Sequence, residues 1–213
     1  MITTYNKIFP THILLVDKVI EEEYIDSMEK DIYYNFKSNP NWRELEDGSV
    51  WQGTNWQSKY DLHKQPKYKA LTDAVNQLGK KYLTDRNYLF EDLVITDMWA
   101  NILKPGETHR IHTHSNNMVS GVFYVKANKT SGIMFTDPRP QSNVLCPDVS
   151  KQNMDNANVV NYMSEKNRLI MFPSWLSHYV PINMTKEDRI SIAFNLMFKG
   201  KLGSSADYQS TVF

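Results

Sequence analysis

Between Leu93 and Phe198 the chain is a succession of short β-branched and aromatic runs broken by turn residues. This constrains the fold more than any other feature. Leu93–Leu103 is too rich in β-formers for a helix, and Lys104-Pro105-Gly106-Glu107 is a turn. Met118–Val125 reads as a strand, followed by a polar turn over Ala127–Ser131 and a further strand over Gly132–Thr136. Arg168–Phe172 and Arg189–Phe198 complete the series. Strands this short and this closely spaced predict a β-barrel or a double-sheet jelly roll.

Residues 1–92 read as a mixed bracing region with two helices. After the extended run Ile13–Val16, Tyr24, Ile25, Met28, Ile32 and Phe36 recur at helical spacing from near Glu21, and Asn39-Pro40 stops the helix. A second helix is expected from Pro66, with Leu71, Val75, Leu78 and Tyr82 as its apolar stripe. The Trp42–Tyr60 stretch between them reads as strands and loops, with Trp51 and Trp56 packed or lining a pocket. One domain of 213 residues follows: 1–92 bracing, 93–198 β-core, 199–213 a polar tail. Within the core, residues 140–165 form a polar, Asn-rich insertion loop, a candidate lid.

Lys+Arg and Asp+Glu both number 24, so the formal net charge is zero. That argues against a dedicated nucleic-acid binder, which carries a basic excess. No apolar run is long enough to span a bilayer, and the start of the chain lacks a signal-peptide pattern. The single cysteine, Cys146, has no internal partner, so a cytoplasmic location is expected. The oligomeric state is not legible.

The chemistry concentrates in the histidines. His109, His112 and His114 lie within six positions, and His178 follows the strand ending at Phe172. In a strand, residues two apart share a face, so His112 and His114 can chelate one ion. His178 can join them at one mouth of a barrel. Imidazole serves Fe, Zn, Cu and Ni alike, and spacing does not choose among them. Arg189 follows 11 residues after His178. If it faces the interior, so do Ser191, Ala193 and Asn195. A buried guanidinium beside a hydroxyl suits a carboxylate ligand. The plainer alternative is an edge Arg paired with Glu187 or Asp188.

Five motifs in order resemble a family of non-haem Fe(II), 2-oxoglutarate-dependent oxygenases of phages and bacteria, on the prolyl-hydroxylase-like branch. They are His112-Thr113-His114, Ser120-Gly121-Val122-Phe123-Tyr124, Asp137-Pro138-Arg139, Phe172-Pro173-Ser174-Trp175-Leu176-Ser177-His178 and Arg189-Ile190-Ser191. The resemblance implies a mainly β fold, a double-stranded β-helix braced by the N-terminal helices, with iron at its open end. His112, His178 and Arg189 become the residues expected to carry catalysis. Arg189, Ser191, Tyr124 and Asn101 become the cosubstrate set. Fe(II), 2-oxoglutarate and O2 become the cofactors and cosubstrates, with hydroxylation of a substrate C–H bond as the outcome.

One departure matters. The usual triad of this family is two His and a carboxylate, and here His114 stands at the carboxylate position. The third ligand is then His114, a water, or Asp137. A three-His face also keeps Zn(II) in play. His109 reads as an outer or substrate-side residue, and Asp137 with Arg139 as a turn brace. Trp99, Trp175 and the 140–165 loop are candidate substrate contacts. The substrate is unidentified, with a peptidyl or prolyl side chain favoured over a nucleobase. Two other readings stand beside the oxygenase: a three-His zinc hydrolase, and a jelly-roll binding or structural module with a vestigial metal site.

Overall fold

The computed structural model describes residues 1–40, 55–127, 131–204 and 208–212. Trp42, Trp51 and residues 128–130 of the expected turn lie outside them. In chain order the elements are β1 (Leu14–Asp17), α1 (Glu22–Ser38), β2 (Trp56–Gln57), α2 (Lys69–Thr84), β3 (Asp92–Leu103), β4 (His109–His112), β5 (Val119–Lys126), β6 (Ile133–Thr136), β7 (Val159–Tyr162), β8 (Arg168–Pro173), β9 (His178–Val180), β10 (Arg189–Lys199), β11 (Lys201–Leu202) and β12 (Thr211–Val212).

The strands form two main antiparallel sheets. The larger runs β1-β8-β5-β10-β3-β2 and the smaller β4-β9-β6-β7. This is the expected jelly roll. Strand alternation divides its apolar residues into two sets. Phe123, Val125, Leu169, Met171, Ile190, Ile192, Phe194 and Leu196 face outward from the larger sheet and pack with Ile25, Met28 and Ile32 of α1 and Leu71 and Val75 of α2. Val122, Tyr124, Ile133, Phe135, Ile170 and Phe172 face inward, between the sheets. The helices therefore bury one face of the larger sheet, and its other face is left to line a cavity.

Gly121 marks how closely the outer layer is packed. A Cβ there would clash with the Phe194 ring and sit 2.7 Å from the Ile170 carbonyl oxygen. Only hydrogen fits between the β5 backbone and that ring.

Three boundaries differ from the sequence reading. Lys69, rather than Pro66, begins α2, because Pro66–Tyr68 is a separate 3-10 turn. Residues 140–165 are not loop throughout, since Val159–Tyr162 pairs with β6 as the edge of the smaller sheet. The polar tail contains the short β11–β12 ladder. Trp56 packs edge-on against Phe36, with ring centroids 5.6 Å apart, and donates to the Asn39 carbonyl at 3.0 Å.

Candidate metal centre and cosubstrate cavity

β4 and β9 pair so that His112 lies directly across from His178. His114 follows just beyond β4, its backbone N–H held by the Ser174 carbonyl at 2.9 Å. The result is a group of three imidazoles, His112, His114 and His178, whose ligand nitrogens all lie within 4.8 Å of one another. His114 and His178 are nearly parallel, at 5.2 Å and 6°. The rings of His112 and His178 are 4.3 Å apart.

Two backbone contacts set the chemistry of this group. Nδ1 of His112 is 2.8 Å from the Arg110 carbonyl, and Nδ1 of His178 is 2.8 Å from the Leu176 carbonyl. A carbonyl only accepts, so each Nδ1 carries the proton and each Nε2 keeps its lone pair. That is the tautomer a metal requires, fixed by the partner that orients it. Burial pushes the histidines down: His178 and His109 to about 3, His114 to about 4, and His112 in the same direction. Neighbouring imidazoles add to the effect on His109, His114 and His178, and Asn195 partly opposes it at His114. Neutral imidazoles are ligands without a proton to displace.

The surroundings brace His114. The Trp99 ring lies 5.8 Å away and Phe172 meets it edge-on at 6.4 Å. Beneath it, Ser120 Oγ donates to Asn195 Oδ1 at 2.8 Å and shares a 2.8 Å hydrogen bond with Ser174 Oγ.

The triad opens onto a cavity also lined by Trp99, Asn101, Arg189 and Ser191. Its inner rows follow from register. On β10, Ser191 pairs with Asn101 of β3 on one side and Tyr124 of β5 on the other. Three of the four residues expected to bind cosubstrate therefore form one cross-strand row. Arg189 lies one inward-facing position deeper. Ala193, one position toward the triad, lines the cavity with a side chain too small to fill it. Among the described residues, no Asp or Glu lines this cavity.

Arg189 is 3% exposed. Its Nε donates to the Ser131 carbonyl at 2.8 Å and Nη1 to Ser191 Oγ at 3.2 Å, and its Cζ lies 4.9 Å from the Tyr124 ring centre. No carboxylate among the described residues pairs with it. The edge-Arg alternative fails, since Asp188 instead accepts from the Tyr33 hydroxyl at 3.1 Å. Among the described residues, the buried Tyr124 hydroxyl has no hydrogen-bond partner. A buried cation without an anion and a buried hydroxyl without a partner are both costly. Side by side, they fit an anionic ligand. Asn101 is held from behind, its Oδ1 accepting from Asn55 at 3.2 Å and from Gln57 at 3.0 Å.

The remaining candidates separate. Asp137 is outside the imidazole group, and Arg139 grips it through Nε at 3.0 Å and Nη2 at 2.7 Å. That ion pair holds Asp137 at about 2. It is a turn brace, and the reading of it as third ligand does not hold. Trp99 lines the cavity; Trp175 is 56% exposed and does not. Among the described residues, none from 140–165 lines it either.

His109, expected as an outer or substrate-side residue, lines the cavity. It lies three residues before His112, a spacing that regular alternation sends to opposite faces. A register break between them turns both rings inward, stacked at 4.6 Å and 13°.

No curated protein sequence matches this chain. Solved structures match it in fold. The non-heme alpha ketoglutarate dependent epimerase SnoN from nogalamycin biosynthesis is 8% identical, with a TM-score of 0.66 over 92% of this chain and 82% of that one. A Pseudomonas putida prolyl-4-hydroxylase is 12% identical, with a TM-score of 0.58 over 88% and 93%. HygX from Streptomyces hygroscopicus, solved with nickel and 2-oxoglutarate bound, is 10% identical, with a TM-score of 0.57 over 95% and 91%. Residues 97–195, the β-core with every residue of the triad and of the Arg189 cavity row, match the family described as "Putative 2OG-Fe(II) oxygenase". Over residues 97–195 this chain is similar to that oxygenase family, and its fold is shared with these solved structures.

Proposed function

We propose that the chain hydroxylates a C–H bond of its substrate, using Fe(II) held by His112, His114 and His178 and 2-oxoglutarate anchored by Arg189. The observation that carries this reading is the pairing of a three-imidazole group with a buried, acid-free guanidinium at the end of one cavity. A zinc hydrolase has use for the first and none for the second. A vestigial module has use for neither.

When bound, the metal and cosubstrate supply the activation of O2, an oxidation no side chain can perform. The protein's part is placement. His112 and His178 present Nε2 because the Arg110 and Leu176 carbonyls hold Nδ1–H. His114 presents its ring from the Trp99, Phe172 and Asn195 bracket. Arg189 and Ser191 give the distal carboxylate charge-assisted hydrogen bonds, and the Tyr124 hydroxyl donates from the same row. Asn101, its oxygen occupied by Asn55 and Gln57, offers its amide N–H to the cavity. Val122, Ile133 and Phe172 keep the walls apolar, which strengthens each of these contacts.

The likeness in fold to a prolyl-4-hydroxylase supports a peptidyl or prolyl side chain as substrate. The fold is shared with an epimerase, so the outcome is set by the substrate placed over the metal.

Anaerobic titration of the protein with Fe(II) and then 2-oxoglutarate tests the reading. A visible charge-transfer band from the chelated 2-oxo acid is expected. A folded protein giving no band, with zinc retained after purification, would overturn it.

A further inference from the structure

His109 lines the cavity and has no part in the binding scheme above. It faces Val180 across the β4–β9 ladder, one step inward from the His112–His178 pair. Ile133, Val180, Leu103 and Arg189 line the cavity with it. The ring is close enough to Arg189 to feel its charge. It is not a member of the metal-binding group.

His112 and His178 each have a ring nitrogen tied to a carbonyl. Neither ring nitrogen of His109 has a hydrogen-bond partner among the described residues. The ring is half-buried and faces the cavity, where a ligand can supply the bond. The register break between His109 and His112 is what turns this ring inward. Breaks of this kind re-aim side chains beside active sites.

The ligand that fits is the one spanning the triad and Arg189. All oxygens of 2-oxoglutarate are acceptors at neutral pH. An imidazole in either charge state carries at least one N–H. We propose that His109 is a cosubstrate-positioning residue, donating its ring N–H to an oxygen of 2-oxoglutarate between the metal triad and Arg189. The inference rests on the oxygenase reading above. It gives the cosubstrate an anchor from the smaller sheet, opposite the anchors Arg189, Ser191 and Tyr124 on the larger.

The test is calorimetric titration of 2-oxoglutarate into Mn(II)-loaded protein, with Mn(II) affinity measured alone. His109→Phe keeps a flat ring against His112 and removes the donor. His109→Gln keeps a donor. The Phe variant should bind 2-oxoglutarate about tenfold or more weakly, with Mn(II) affinity unchanged. The Gln variant should recover most of the loss. If the Phe variant melts early, His109→Ala against His109→Gln carries the same comparison. A donor-less variant that binds 2-oxoglutarate like the parent overturns the proposal. So does one that loses Mn(II), which would place His109 on the metal. No 2-oxoglutarate binding by the parent itself would instead remove the oxygenase reading.

Discussion

Arg189→Met separates a ligand-binding guanidinium from a structural one. In the free protein the guanidinium is 3% exposed, makes two hydrogen bonds, and has no acid beside it among the described residues. Removing it forfeits those bonds, worth about 1.5–3 kcal/mol each when charged. It also removes a buried, unpaired charge whose effective penalty is several kcal/mol. The two effects oppose each other, and Met fills most of the volume. Folding stability should therefore change little. Binding of 2-oxoglutarate is different, because its distal carboxylate is left buried without a cationic partner. Breaking a buried pair from one side costs about 3–5 kcal/mol, two to nearly four orders of magnitude in Kd. Calorimetry with Mn(II)-loaded protein, beside a urea melt of the same samples, measures both quantities. Undiminished 2-oxoglutarate affinity would refute the cosubstrate assignment. A large loss of stability with intact affinity would show Arg189 to be a structural residue.

Three further outcomes follow from the same geometry. His114→Asp restores a carboxylate to the metal face and should bind Mn(II) at least as tightly as the parent. His114→Ala should lose more than the roughly 10–100-fold that outer partners cost; indifference to both changes would take His114 off the metal. Gly121→Ala places a methyl against Phe194 and the Ile170 carbonyl and should destabilise by about 1–3 kcal/mol in urea melts; a neutral result would mean β5 can shift freely. Burial holds His178 and His109 near 3 and His114 near 4 in the folded, metal-free protein, against 6.5 unfolded. The unfolded chain therefore takes up protons first as pH falls. Stability is full above about pH 6.5 and is lost toward pH 4, by up to about 1.4 kcal/mol per pH unit for each imidazole. Urea midpoints at pH 7, 6 and 5 check this, and a flat profile would mean the rings are not held neutral.

What the sequence made legible is what a period of two can carry. Arg189, Ser191, Ala193 and Asn195 share an inner face because alternation requires it, and Ile190, Ile192 and Phe194 consequently meet the helices. β7 was not legible, because four residues with alternating exposure inside an Asn-rich stretch give no period to read. Its partner β6 holds it in place, and that pairing is long-range. Nor were the contacts that orient the candidate metal-binding histidines. The carbonyls of Arg110 and Leu176 belong to backbone two residues before each ring, and any side chains at those positions would offer the same oxygen. The clamp of Asn55 and Gln57 on Asn101 joins residues 44 and 46 apart. His109 reaches the cavity by a route that alternation does not show. Its spacing from His112 argues for opposite faces, and only a break in the ladder reverses that. A sequence read by periodicity hides a side chain's direction wherever the chain departs from the period, and here that departure turns a fourth imidazole into the cavity beside the other three.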